Sequence, residues 1–189
     1  MQPTSSVDGA APPGQIAAMN KPQHVLAVTD FSEGSDEALR QAHGYARLTG
    51  AKLSVLHVIP NVMHSSPLLP DGSAGDLDRE VAMEQRALDE LATRTTEVTG
   101  RPREDVELAV RIGPVDAAAI HYAEEHLVDV LVVGATGRTG LARLLLGSTA
   151  ERVIRHAHCT VLVARYLNRS VRPSSSRRPP ASQRARWSR

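Results

Sequence analysis

The chain has 189 residues, with 22 Lys+Arg against 21 Asp+Glu and 41% hydrophobic content, which suits one globular domain with extensions and excludes wholesale disorder. No apolar run approaches the roughly 18 residues of a membrane-spanning helix, and the lone Cys159 excludes a disulfide framework or a cysteine-built zinc site. The near-neutral charge hides a split: residues 1–164 carry 14 basic and 21 acidic residues, whereas 165–189 carry eight arginines and no acid.

Residues 1–22 hold Pro3, Pro12, Pro13 and Pro22 among Ser, Gly and Ala, without apolar periodicity, and read as a flexible leader. They show neither the basic start nor the apolar stretch of a secretory signal, so the expected setting is cytoplasmic. From Gln23 onward, short β-branched runs alternate with helical patterns. Strands are expected at His24–Thr29, 53–59, 106–111, 130–133 and Thr160–Ala164. Between the first two, Ala38, Leu39, Ala42, Tyr45 and Leu48 fall on one helical stripe. Leu77, Val81, Leu88, Leu91 and Val98 mark a longer helix that stops near Gly100 and Pro102. Pro114 opens a third helix, followed by Val115, Ala118, Ala119, Tyr122 and Ala123. Ala150, Val153, Ile154 and Ala157 mark the last. Strands joined by helical crossovers run parallel, so the prediction is a doubly wound α/β domain over residues 23–166. Residues 167–189 are rich in Arg, Ser and Pro, cannot repay the entropy of ordering, and are expected to be a disordered tail. At most, that tail attracts polyanions non-specifically, in a salt-dependent way.

Ligands of an open parallel sheet sit beyond the carboxyl ends of the strands, where strand order reverses. Two loops there are informative: Thr29-Asp30-Phe31-Ser32-Glu33-Gly34-Ser35, and Gly134-Ala135-Thr136-Gly137-Arg138-Thr139-Gly140 leading to Gly147-Ser148-Thr149. If both serve one site, the first and fourth strands are neighbours. The glycines admit backbone N–H groups close to an anion. Gly147-Ser148-Thr149 adds a helix N-terminus with two hydroxyls, and Arg138 suits a terminal phosphate. Asp30 would repel phosphate and is better placed for ribose hydroxyls or a divalent cation. A tight turn at the glycines and a capping Asp30 are the plain structural alternatives.

At these residues the sequence resembles the universal stress proteins. Gly134-x2-Gly137-x9-Gly147-Ser148 is similar to the signature of that family's ATP-binding subclass, and Val28–Glu33, Leu56-His57-Val58 and Val161-Leu162-Val163 resemble its first, second and last strands. The resemblance implies a five-stranded parallel sheet in the order 3-2-1-4-5 and a dimer. It also implies roles: Asp30 for ribose or metal, Val58 beside adenine, Gly134 and Gly137 along the phosphates, and Gly147, Ser148 and Thr149 binding phosphate, with Thr29 at the strand end. The implied ligand is ATP, or AMP or ADP, with Mg²⁺ or Mn²⁺. The sequence departs from the family pattern at Val28, where proline is common, and at Ala135-Thr136, where Ser-His or similar is frequent.

Rival readings fare worse. GATGRTG mimics a dinucleotide loop, but only one strand follows it. There is no Walker sequence, and Asp30 lacks the acidic neighbour and later lysine of a receiver domain. His121, His126, His156 and His158 do not share a metal-ligand spacing on one face. Ser32 and Ser148 lack a nucleophile context, and Cys159 reads as a small buried hydrophobe. The expected function is an adenine-nucleotide-binding, dimeric regulatory protein of the stress response. The alternatives are a weak ATPase or phosphotransferase using the same pocket, and a nucleotide-free homodimeric scaffold. The last strand, apolar and without lysine or proline to blunt it, is the expected dimer edge.

Overall fold

The structure is a computed structural model, which describes residues 21–60, 74–136 and 146–165. Five strands, β1 (His24–Thr29), β2 (Lys52–Ile59), β3 (Glu107–Ile112), β4 (Val130–Gly134) and β5 (Thr160–Ala164), alternate with four helices, α1 (Glu33–Thr49), α2 (Ala74–Thr99), α3 (Val115–Glu125) and α4 (Ser148–His156). A 3-10 turn at Arg103–Asp105 leads into β3. All strand pairs are parallel, and the order is β3-β2-β1-β4-β5, as expected from the sequence. The chain therefore winds outward from β1 in both directions, and the order reverses between β1 and β4. The proposed leader and the tail at 167–189 lie outside the described residues, apart from Lys21 and Pro22.

Alternation along the buried strands divides the core in two. Val25, Ala27, Leu53 and Val55 face α1 and α2, meeting Ala38, Leu39, Ala42, Ala46 and Leu91. Leu26, Val28, Leu56 and Val58 face α3 and α4, meeting Ala119, Tyr122, Ala123, Ala150 and Val153. The alanines on α1 and α3 carry almost no side-chain entropy cost and let the helices lie close on the sheet.

Three residues of the helical stripes end up in solvent. Leu48 is 86% exposed, Val81 66% and Ile154 46%. In α1 the buried set is Ala38, Leu39, Ala42 and Ala46, and Leu48 stands roughly 200° around the helix from Ala46. In α4, Ala150 and Val153 take the buried face, leaving Ile154 one position past it.

Helix ends are fixed by local chemistry. The Ser32 hydroxyl caps α1 by accepting from the Ser35 N–H, and Gly50 closes it in the left-handed conformation with φ 68°. Asp36 in α1 is buried, and Arg94 of α2 grips it with two parallel hydrogen bonds, Nε to Oδ1 at 2.9 Å and Nη2 to Oδ2. A buried carboxylate is tolerable only with such a partner. At the amino end of the sheet, His24 bridges the His126 carbonyl at 2.9 Å and the Ser54 hydroxyl at 2.7 Å. Ser54 donates to Glu107, which Lys52 pairs from the surface. These bonds tie β1, β2 and β3 at the pole away from the candidate site.

Candidate functional site

β1 ends at Thr29, and the chain must reach α1 within three residues. It does so through a turn built from its own side chains. The Thr29 hydroxyl accepts from the Phe31 N–H at 3.1 Å and reaches the Ser35 hydroxyl at 3.0 Å. Asp30 Oδ1 accepts from the Ser32 N–H at 3.1 Å and from the Ser32 hydroxyl at 2.5 Å. Phe31 takes φ 63°, a left-handed conformation that costs a bulky residue about 1–2 kcal/mol. Its ring stacks on His57 near the end of β2, with centroids 4.2 Å apart and planes 25° from parallel. Asp30, half-buried, thus stands at the apex of a turn fastened on both sides.

The second loop meets the first. The backbone of Gly34, in the first turn of α1, packs over Gly134 at the end of β4: a Cβ added at Gly134 would lie 3.0 Å from the Gly34 carbonyl oxygen. Such a Cβ at Gly34 would lie 2.7 Å from the Thr136 carbonyl oxygen. Absence of side chains at this crossing lets the two backbones touch. Beyond it, the Ala135 carbonyl accepts from the Gly147 N–H at 2.8 Å, and the Ala164 carbonyl accepts from the Ala135 N–H at 2.7 Å. The start of α4 is thereby pinned beside the exit of β4. Loops after β1 and β4 converge at the reversal of strand order, with the amino ends of α1 and α4 both there.

Most of the expected residues lie among the described ones. Thr29 and Asp30 lie in the turn, Ser148 and Thr149 form the first turn of α4, and Gly134 ends β4. Gly137 and Arg138 lie outside the described residues. The Val58 side chain is buried in the core facing α3, so a base bordering it would meet its main chain. Two features mark Gly147. Its φ of −66° and ψ of 148° are open to any residue, so no glycine-only conformation is required. Its N–H is already spent on Ala135, so the amides left open at this end are those of Ser148, Thr149 and Ala150. These have no intrahelical acceptor, and Gly147 offers no capping side chain.

The sequence reading gave no role to Gly34, Phe31 and His57. A phenylalanine and a strand histidine carry no ligand-binding pattern, and only the left-handed φ singles out the pair. Elsewhere the titratable groups point away from chemistry. Burial pushes the Cys159 thiol up, away from the reactive thiolate. His121 and His158 pair with Glu125 and Glu124 on the surface. Among the described residues no three His, Cys, Asp or Glu side chains cluster to hold a metal. A Mg²⁺ carried by phosphates needs only one or two protein carboxylates beside it, a demand that Asp30 fits. No described helix is long and apolar enough to cross a membrane.

Comparison with known proteins agrees with this architecture. The universal stress protein family model matches residues 21–165. Universal stress protein MJ0531 of Methanocaldococcus jannaschii is 33% identical over 145 residues, covering 75% of this chain and 81% of that protein. A putative universal stress protein of Staphylococcus aureus is 30% identical, covering 76% and 84%. Among solved structures, universal stress protein UspA from Lactobacillus plantarum superposes with a TM-score of 0.60 at 26% identity, covering 77% of this chain and 99% of that one. A universal stress protein in complex with cAMP superposes with a TM-score of 0.55 at 26% identity, covering 76% and 97%.

Proposed function

The chain belongs to the universal stress protein family, and from that membership we propose that it is a cytoplasmic regulatory protein that binds ATP, or AMP or ADP, between the turn after β1 and the segment 134–149. The observation that carries this reading is the convergence of two helix N-termini at the reversal of strand order, held together by the Gly34–Gly134 crossing. A helix N-terminus offers unpaired N–H donors and a favourable dipole to an anion. The relative solved with cAMP lends the adenine nucleotide its support. In this reading the Ser148, Thr149 and Ala150 amides and the Ser148 and Thr149 hydroxyls take phosphate oxygens. Asp30 meets ribose or a phosphate-borne Mg²⁺ or Mn²⁺, Val58 borders the base through its main chain, and Gly137 and Arg138 extend the phosphate path.

Binding rather than turnover is the function proposed. Asp30 Oδ1 already accepts two hydrogen bonds from Ser32, which ties that oxygen to the turn rather than to an attacking water. The protein is further proposed to act as a homodimer joined through β5.

Calorimetry with ATP, with and without Mg²⁺ or Mn²⁺, tests the proposal alongside thermal unfolding. Micromolar affinity corresponds to about −8 kcal/mol, and saturating nucleotide should raise the unfolding temperature by mass action. No heat and no thermal protection at millimolar ATP would overturn the assignment.

A further inference from the structure

Phe31 and Leu127 are the two non-glycine residues with positive φ among the described residues. Leu127 lies in an exposed turn after α3, whereas Phe31 lies in the turn that presents Asp30 and starts α1. Something must hold a phenylalanine in a conformation that glycine takes freely. We infer that His57 is a positioning residue for the ligand-binding turn: it holds Phe31 left-handed and thereby sets Asp30 and the amino end of α1. The ligand part of this inference rests on the nucleotide reading; the conformational part rests on the turn alone.

His57 fastens the turn on both sides of Asp30. It is buried in β2, two residues before the strand ends, in register with Thr29. Its Nδ1 lies 2.9 Å from the Thr29 carbonyl, an atom that only accepts, so Nδ1 carries the proton and donates. That bond fixes the residue before Asp30. The ring fixes the residue after it, by stacking on Phe31. Thr29 adds a third tie through its hydroxyl to the Phe31 N–H. Were Phe31 to relax to negative φ, the Phe31 N–H, the Asp30 carboxylate and the Ser32 cap could not keep their present partners together. A histidine that merely filled space would lower stability when removed, by an amount indifferent to the residue at 31. A histidine that holds φ matters less for binding once residue 31 is glycine, what remains being its bond to the Thr29 carbonyl.

The test is a double-mutant cycle on the full chain, read by calorimetry with ATP and by NMR of the Phe31 ¹³C shifts and its HN–Hα coupling. His57→Leu should weaken ATP about tenfold, or about 1.4 kcal/mol, and move the Phe31 signals out of the left-handed range. Phe31→Gly should cost about threefold through loop entropy. Adding His57→Leu to Phe31→Gly should then cost clearly less than the tenfold it costs in wild type, the remainder being the lost bond to Thr29. Equal losses from His57→Leu in both backgrounds would overturn the inference. So would a Phe31 that stays left-handed without His57, whether or not ATP binds. A wild type that gives no heat with ATP, yet loses the left-handed Phe31 in His57→Leu, overturns the nucleotide reading and upholds the positioning role. Should His57→Leu fail to fold, His57→Asn keeps a donor near the Nδ1 position while deleting the ring, and the same two readouts decide.

Discussion

A methyl group at Gly34 would stand 2.7 Å from the Thr136 carbonyl oxygen, which is backbone and cannot rotate aside. Gly34→Ala should therefore push α1 off the exit of β4 and cost about 1–3 kcal/mol, as overpacking does elsewhere. Urea denaturation reads the loss, and calorimetry should show ATP affinity falling with it; an unchanged midpoint would mean that the crossing is looser than its geometry. Gly147 makes the opposite case. Its φ and ψ suit any residue, and its N–H bonds to Ala135. Gly147→Val should leave the unfolding midpoint within about 0.5 kcal/mol while its side chain obstructs phosphate at the start of α4. Stability kept and ATP binding lost is the expected pair of results; binding retained would remove Gly147 from the path. Sequence pattern singled out both Gly134 and Gly147 through one glycine signature. It could not separate them, because a glycine needed for helix–strand contact and one needed for ligand approach look alike until the backbones are placed.

Helix α1 connects the candidate site to an ionisable group at its far end. His43 Nε2 is buried with no hydrogen-bond partner among the described residues. Burial holds its pKa below the ordinary histidine range, and Arg101 and Arg47 nearby lower it further. The unfolded chain then takes up this proton more readily than the folded one. The stability His43 contributes is full above about pH 6.5 and is lost as pH falls through its lower folded value. His43→Leu should flatten the fall in stability as pH drops below about 6.5, measured as urea midpoints across that fall. An unchanged slope would place the acid sensitivity elsewhere. Glu107, held low chiefly by Lys52 against the opposing effect of burial, contributes stability that is present above the ordinary glutamate pKa and lost as pH falls through its lower folded value. At this scale the sequence was largely legible. All five strands and four helices fall where β-branched runs and apolar spacing put them, because each strand is bounded by turn residues and each helix buries one stripe. What periodicity could not give was the width of the stripe: Leu48, Val81 and Ile154 keep the spacing yet lie beyond the sheet's footprint. Nor could it give His57, since a histidine within Leu56-His57-Val58 reads as strand interior until Phe31 is seen stacked upon it.

At the scale of the whole molecule, the sheet ends on one side at β5. Val161, Leu162 and Val163 are only half-buried in the single chain. The Thr160 N–H donates to Asp129 at 3.1 Å, and the Ala164 carbonyl accepts from Ala135. Since ladder groups alternate along a strand, residues 160, 162 and 164 face β4, and the N–H groups of Val161 and Val163 face outward. A two-fold axis would pair this edge with its copy and close the assembly. The geometry also selects the clean variant. A charge at Leu162 would disturb the core facing α1, against which that side chain packs. Val161→Pro deletes an outward N–H and leaves the ladder to β4 intact, as prolines on natural edge strands do. Wild type should sediment as a dimer at tens of micromolar and Val161→Pro as a folded monomer; a monomeric wild type, or a dimer that survives the proline, would end the edge hypothesis. The same edge reaches the candidate site through two hydrogen bonds, Ala135 N–H to Ala164 and Gly147 N–H to Ala135. Binding linkage is reciprocal, so if pairing at β5 steadies that chain of bonds, saturating ATP should tighten the dimer. Each step of dimerisation should then raise ATP affinity by the matching factor. Sedimentation of wild type with and without ATP measures one side of the cycle and calorimetry on Val161→Pro the other; a factor of one on both sides would show that edge and site work independently.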